Sequence, residues 1–223
     1  MTIYSNHFSI QRMKIYDLMP SVKDLIPYDY EHIRCYEYED LICYFLSHCS
    51  KGKTFEQISG APGSGKTTFC RKLCGDNFLS FDKIMEDLSS YQNDLQKHGS
   101  KIAFQNNEIT ARIIGYEILC RAIEDKYSLT MEHSGVNPAH LELFSSLKKL
   151  NYKTKIDFIL CDLETLIERV KIRETITKRY TSQTMIEQRY ALINEYIEKY
   201  KKIADEVNIY NSVNGQITLM SNY

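Results

Sequence analysis

A chain of 223 residues is long enough for one α/β domain with its own core and a small appended element. Its 28 Lys and Arg against 29 Asp and Glu give a net charge of −1, which excludes a general attraction to long nucleic acid or to an anionic membrane surface. Seven cysteines without a C-x-x-C pair fit a reducing cytosol, and no apolar run approaches a bilayer span, so the expectation is a cytoplasmic protein with no membrane partner.

Residues 1–50 are rich in Tyr and acidic side chains. The stretch from Tyr28 to Cys49 predicts a helix that sets Ile33, Leu41, Ile42, Phe45 and Leu46 against a core. The organisation expected is therefore an N-terminal helical segment over 1–50, packed on an α/β domain over 51–223. Thr54 to Ser59 reads as a short strand, and Thr68 to Cys74 has apolar positions at helical spacing.

Between them lies Gly60-Ala61-Pro62-Gly63-Ser64-Gly65-Lys66-Thr67-Thr68, a complete G-x-x-x-x-G-K-T loop. Its glycines let successive backbone N–H groups turn inward on a phosphate. Lys66 then reaches the β- and γ-phosphates, Thr67 offers a hydroxyl to Mg²⁺, and the following helix points its positive end at the anion. ATP and Mg²⁺ are the ligands expected. Cys70 and Cys74 share a helix face, but two thiols do not make a zinc site, and both are expected to be small buried hydrophobes.

Farther on, Asn77 to Phe81 predicts a strand ending at Asp82, followed by a helix from Lys83 to Tyr91, a polar loop from Gln92 to Ser100 and a long helix from Glu108 to Lys126. Ser128 to Glu132 predicts a strand, Asn137-Pro138 opens a helix running to Leu150, and Lys155 to Leu160 is the most hydrophobic strand. Asp162 reads as the N-cap of a helix through Arg173, and a further helix spans about Thr184 to Ala204. Val207 to Tyr210, a turn at Asn214-Gly215 and Gln216 to Met220 close the chain. Strands alternating with helices predict a mostly parallel sheet covered on both faces, with the ligand at the strands' carboxyl ends.

A phosphate loop does not by itself separate an ATPase from a kinase. Asp82, at a strand end, is positioned to take a proton from an attacking hydroxyl, or else to cap the next helix. Glu132 ends the next strand and faces the same crevice, where it could meet substrate hydroxyls or Mg²⁺-bound water. His133 beside it reads as an ordinary loop histidine. Cations gather around the break between two helices, at Arg169, Lys171, Arg173, Lys178 and Arg179. In small-molecule kinases such a segment forms a lid over the transferring phosphoryl; a solvated charged face is the alternative.

Taken together, the loop, Leu79-Ser80-Phe81-Asp82-Lys83, Met131-Glu132-His133-Ser134-Gly135, Leu166-Ile167-Glu168-Arg169, Lys178-Arg179-Tyr180-Thr181 and Ile209-Tyr210-Asn211 resemble the zeta toxins, P-loop kinases of bacterial toxin–antitoxin systems. The resemblance runs from about residue 54 to 220. It implies a P-loop kinase fold and transfer of the ATP γ-phosphoryl to the 3′-hydroxyl of UDP-N-acetylglucosamine, which arrests growth. It implies Lys66 as the loop lysine, Asp82 as base and substrate ligand, Glu132 as the substrate-side acid, and Arg169 and Arg179 as the phosphate clamp. An antitoxin protein is the partner it implies. One departure stands out: where the family carries an arginine for the substrate's negative charge, this chain has Val136, which leaves open the acceptor, whether this nucleotide sugar, another nucleotide, a dinucleotide, an antibiotic or a polynucleotide end. A nucleotide-gated binding module without turnover is the rival from outside enzymes.

Overall fold

The computed structural model describes residues 13–26 and 38–223. Six strands form one sheet: β1 (Thr54–Ser59), β2 (Leu79–Ser80), β3 (Leu129–Glu132), β4 (Lys153–Leu160), β5 (Glu206–Val213) and β6 (Gln216–Asn222). Their order is β2-β3-β1-β4-β5-β6, parallel throughout except for the antiparallel β5–β6 pair. The helices are α1 (Ile15–Leu18), α2 (Glu39–Ser47), α3 (Lys66–Cys74), α4 (Phe81–Asp87), α5 (Ser89–His98), α6 (Ser100–Glu124), α7 (Pro138–Lys149), α8 (Leu163–Thr177) and α9 (Gln183–Tyr200).

Strand alternation sorts the core into two layers. Phe55, Ile156 and Phe158 turn to one face, where Phe144 of α7 meets Phe55 edge-on at 5.5 Å and Tyr200 of α9 at 4.8 Å. Ile58 and Ile159 turn to the other, onto Cys70 of α3 and Phe78. Cys70 is wholly buried, as a small hydrophobe should be, and among the described residues no three His, Cys, Asp or Glu side chains gather as metal ligands. No helix there is long and apolar enough to cross a membrane.

Register fixes the site. Glu132 pairs with Ile58 on one side and with Ser80 on the other, so the end of β3 lies between the start of the phosphate loop and the start of α4. The chain reverses direction of growth at β1, the switch point where parallel sheets open a crevice.

Four sequence expectations are corrected. The strand leading to Asp82 is only Leu79–Ser80, because Phe81 already opens α4, and Asp82 sits in that helix's first turn. The polar loop expected over Gln92 to Ser100 is helix α5, and α6 begins at Ser100, eight residues before its expected start. Propensity misleads here because tertiary bonds hold the polar residues. Tyr91 is buried, and the amides of Asn106 and Asn107 both donate to Asp94 at 3.0 Å. Leu88, at φ −73° and ψ 126°, breaks the single helix expected from Lys83 to Tyr91 into α4 and α5.

Of the helix expected from Tyr28 to Cys49, residues 28–37 lie outside the described residues and Glu39–Ser47 is helical. Ile15, Leu18, Met19, Val22, Ile26 and Ile42 all join the main core, and Ser21 donates from both its backbone N–H and its hydroxyl to Glu142 of α7.

Gly115 on α6 has no room for a side chain, since a Cβ there would overlap the Phe81 ring, which packs on Tyr116 at 4.9 Å. Gly115→Val is expected to lower stability by about 1–3 kcal/mol in urea unfolding, the usual range for an overpacked core. It should also slow any reaction that depends on Asp82, the next residue along from Phe81. Wild-type stability in that variant would contradict the packing described.

Candidate active site

The phosphate loop leaves β1 through buried Ser59 and re-enters regular structure at Lys66. Gly63 shows why its sequence is so restricted: φ is +87°, and a Cβ there would come within 2.7 Å of the Leu166 carbonyl on α8. The loop is thereby clasped between its own helix and α8. Lys66 Nζ donates to the carbonyls of Gly60 and Ala61, both at 3.0 Å, which curls the amine back over the loop. Burial pulls that amine below its ordinary pKa, while the nearby carboxylates of Glu132 and Asp82 oppose the shift.

Thr67 Oγ1 donates to Glu132 Oε1 at 2.8 Å, and Glu132 Oε2 is buried without a partner. A hydroxyl and a carboxylate side by side, one oxygen unsatisfied, form the hard-oxygen pair that suits Mg²⁺, which is commonly held by one or two protein oxygens together with phosphates. The pair fits the ion.

These groups line one cleft of about 670 Å³ together with Asp82, Arg169, Arg173 and Arg179. Seven cations face four carboxylates along its walls, so a chain that is neutral overall has a positive cavity. Arg179, in the link between α8 and α9, reaches Asp82 Oδ2 and Glu86 Oε1, both at 3.4 Å. Burial pushes the Glu86 carboxyl above its usual range, with Arg179 pulling it back. Arg169 lines the same cleft. It donates to Ser212 Oγ at 3.0 Å and to the Gly63 carbonyl at 3.4 Å, pinning α8 to β5 and the loop.

Arg173, one helical turn on, lines the cleft as well. It donates to Thr181 Oγ1 at 2.6 Å, and it is among the charges that bear on Lys66, together with Glu132, Asp82 and Arg179. Burial and then the neighbouring Arg179 lower the pKa of the Arg173 guanidinium. The Nε groups of Arg173 and Arg179 are both buried without a protein acceptor, and both side chains line the cleft. The i, i+4 spacing of Arg169 and Arg173 on one helix is the signal that could have singled out the second residue.

His133 is no ordinary loop histidine. Its ring stacks on His140 at 3.6 Å and 4°, and its Nδ1 accepts from the Gly135 N–H at 3.2 Å. His140 Nδ1 lies 2.8 Å from Gln57 Oε1, an acceptor only, so this nitrogen carries the hydrogen and Nε2 is left to accept from Tyr116 at 3.4 Å. Burial, then Arg189 and Arg112, push His140 down to about 3. The folded value lies below the unfolded one, so the neutral ring's stabilisation is complete above pH ~6.5 and is lost as pH falls toward 3. Urea stability should accordingly drop between pH 6.5 and 4 by up to about 1.4 kcal/mol per pH unit from this group. His140→Gln should flatten that slope; an unchanged slope would place the titration elsewhere.

The family model described as Zeta toxin matches residues 50–222. This chain belongs to the zeta toxin family. No curated protein matches the sequence directly. Among solved structures, a chain of the PezAT chromosomal toxin–antitoxin system of Streptococcus pneumoniae aligns with a TM-score of 0.63 at 16% identity, covering 94% of this chain and 84% of that one. The AvrRxo1-ORF1:ORF2 complex aligns at 0.63 and 12% identity, and its form with ATP at 0.60 and 11%; each covers 82% of this chain and 65% of the other. At such identities the likeness is one of fold, a mostly parallel α/β architecture. The N-terminal residues before 50 lie outside the family match, although several of them are part of this chain's core.

Proposed function

We propose that this zeta toxin family protein is an ATP-dependent kinase that transfers the γ-phosphoryl group to a hydroxyl of a small molecule. The observation that carries the reading is the convergence of Lys66, the Thr67–Glu132 pair, Asp82, Arg173 and Arg179 on one cleft. Its volume is of the order that holds small-molecule ligands. Gly60, Ala61, Pro62, Gly63, Ser64 and Gly65 with Lys66, Thr67 and Thr68 hold the triphosphate, and Thr67 with Glu132 holds Mg²⁺. Held there, Mg²⁺ would offset the negative charge of the triphosphate.

Asp82 accepts the proton of the acceptor hydroxyl as its oxygen forms a bond to the γ-phosphorus. The bond from that phosphorus to the oxygen bridging to ADP breaks, ADP leaves, and Asp82 releases the proton to solvent. Arg173 and Arg179 stabilise the charge spread over the transferring group, while Arg169 braces α8 against the loop. The family supports UDP-N-acetylglucosamine as the acceptor and an antitoxin protein as the partner, in a cytoplasm where ATP is available. Val136 favours a second possibility for the acceptor, another nucleotide or dinucleotide alcohol, without altering the reaction.

Incubation with Mg²⁺, ATP and either UDP-N-acetylglucosamine or a bacterial metabolite extract should yield a product heavier by one phosphoryl group in mass spectrometry. Absence of any such product, with ATP bound, would favour a binding module instead. Glu132→Gln should raise the Mg²⁺ concentration for half-maximal rate by about tenfold, since one charge-assisted contact is worth about 1.5–3 kcal/mol. An unchanged requirement would remove Glu132 from the metal.

A further inference from the structure

The transfer chemistry gives no role to His133, a ring that lines the cleft. The turn that carries it is firmly held. The His133 backbone N–H donates to the Ile58 carbonyl at 3.1 Å, and the Gly60 N–H, at the start of the phosphate loop, donates to the Ser134 carbonyl at 3.3 Å. The Tyr200 hydroxyl donates to the Gly135 carbonyl at 3.0 Å. The end of β3 is thereby tied to β1, to the phosphate loop and to α9.

These bonds also decide which ring nitrogen carries the hydrogen. Gly135 sits at φ +78°, and its N–H is aimed at His133 Nδ1, 3.2 Å away. A nitrogen that accepts a hydrogen bond holds no hydrogen, so the ring is neutral and its hydrogen is on Nε2. A half-turn of the ring would set a carbon against the Gly135 N–H and leave that amide unpaired. The ring plane is fixed as well, with His140 stacked on one face at 3.6 Å and Phe81 edge-on at 6.0 Å. His140 is held in turn, because Gln57 Nε2 donates to Ser59 Oγ at 2.9 Å and leaves Gln57 Oε1 to face His140 Nδ1 at 2.8 Å.

What remains is the Nε2–H. It has no protein acceptor among the described residues, and it is not sealed from water as the Nε groups of Arg173 and Arg179 are. The cationic side chains of the cleft suit anionic oxygens, whereas a neutral imidazole N–H suits an uncharged one. Unlike the cleft's hydroxyls, which donate or accept, this group can only donate. We propose that His133 Nε2–H binds an uncharged oxygen of the acceptor, in a hydroxyl, ether or carbonyl group, and so selects against a molecule that presents a donor there. The proposal rests on the kinase reading and deepens it. The ring lies against Phe81, one residue before Asp82, so the ligand it meets is the one whose hydroxyl Asp82 attends.

Two substitutions separate this role from that of a cap on the turn. The amide oxygen of Asn reaches about as far as imidazole Nδ1 and can take the Gly135 N–H, whereas the amide nitrogen of Gln reaches about as far as Nε2 and can donate into the cleft. ATP labelled in its γ-phosphoryl, with Mg²⁺ and serial dilutions of one bacterial metabolite extract, gives the extract concentration for half-maximal transfer. Serial ATP at fixed extract gives the same quantity for the nucleotide. His133→Asn is expected to raise the first by about three- to tenfold, the range of one neutral hydrogen bond, with the second changed less than about twofold and the urea midpoint kept. His133→Gln should recover at least half of that loss. In the wild type labelled with ¹⁵N-histidine, long-range ¹H–¹⁵N correlations at neutral pH should show the His133 hydrogen on Nε2. Hydrogen on Nδ1, a His133→Asn variant that behaves as the wild type, or equal changes for ATP and extract would each overturn the proposal and leave the kinase reading intact. A wild type that transfers no label to any compound sinks the kinase reading itself, and the proposal with it.

Discussion

Lys66→Ala is expected to lower phosphoryl transfer by about 10³-fold, the largest effect of any single substitution in this chain. The amine is the one cation that the phosphate loop itself carries, and its two protein partners are carbonyls of the same loop. No distant element depends on it. Because burial already disfavours its charge, removing it should leave the unfolding midpoint no lower than that of the wild type. Donors aimed at developing charge in a water-poor site are worth roughly 10²–10³ in rate each, and this one also binds the ground-state triphosphate, so KM for ATP should rise as well as kcat fall. Growth arrest on expression, if the protein causes it, should disappear with the same substitution. Full turnover in the variant would remove the kinase claim outright.

Asp82→Asn is expected to behave differently. The change is nearly isosteric, and Arg179 keeps its second carboxylate partner in Glu86 at 3.4 Å, so the lid link should stay seated. Nucleotide binding should shift by less than about twofold. Phosphoryl transfer should fall by about 10²-fold or more, because an amide cannot accept the hydroxyl proton. The split between an unchanged KM for ATP and a reduced kcat distinguishes a base from a structural residue. An unaltered kcat would move the base to another carboxylate, and Glu86, which shares Arg179, is the nearest alternative.

The parts of this molecule that could be read in its sequence are those with a local cause. The phosphate loop needs glycine at fixed offsets, Asp162 caps α8 by accepting from the Thr165 N–H at 2.8 Å, and alternating strands fix the parallel order around β1. The errors arose where distant contacts override local preference. Helix α5 looked like a polar loop because the bonds that hold it come from Asn106 and Asn107, a dozen residues ahead. The bond from Arg169 on α8 to Ser212 on β5 likewise joins residues 43 positions apart, which no local pattern announces. Nor does anything local mark His133 as the partner of His140 across the turn that Gly135 makes possible.

The account stands on one transfer, from a triphosphate seated on the phosphate loop to an alcohol beside Asp82. ATP labelled in its γ-phosphoryl, incubated with the protein, Mg²⁺ and a bacterial metabolite extract, follows that group directly. The account predicts that the label appears in a phosphomonoester of a small-molecule alcohol and that Asp82→Asn suppresses it. Label found only in inorganic phosphate, or retained entirely in ATP, would contradict it.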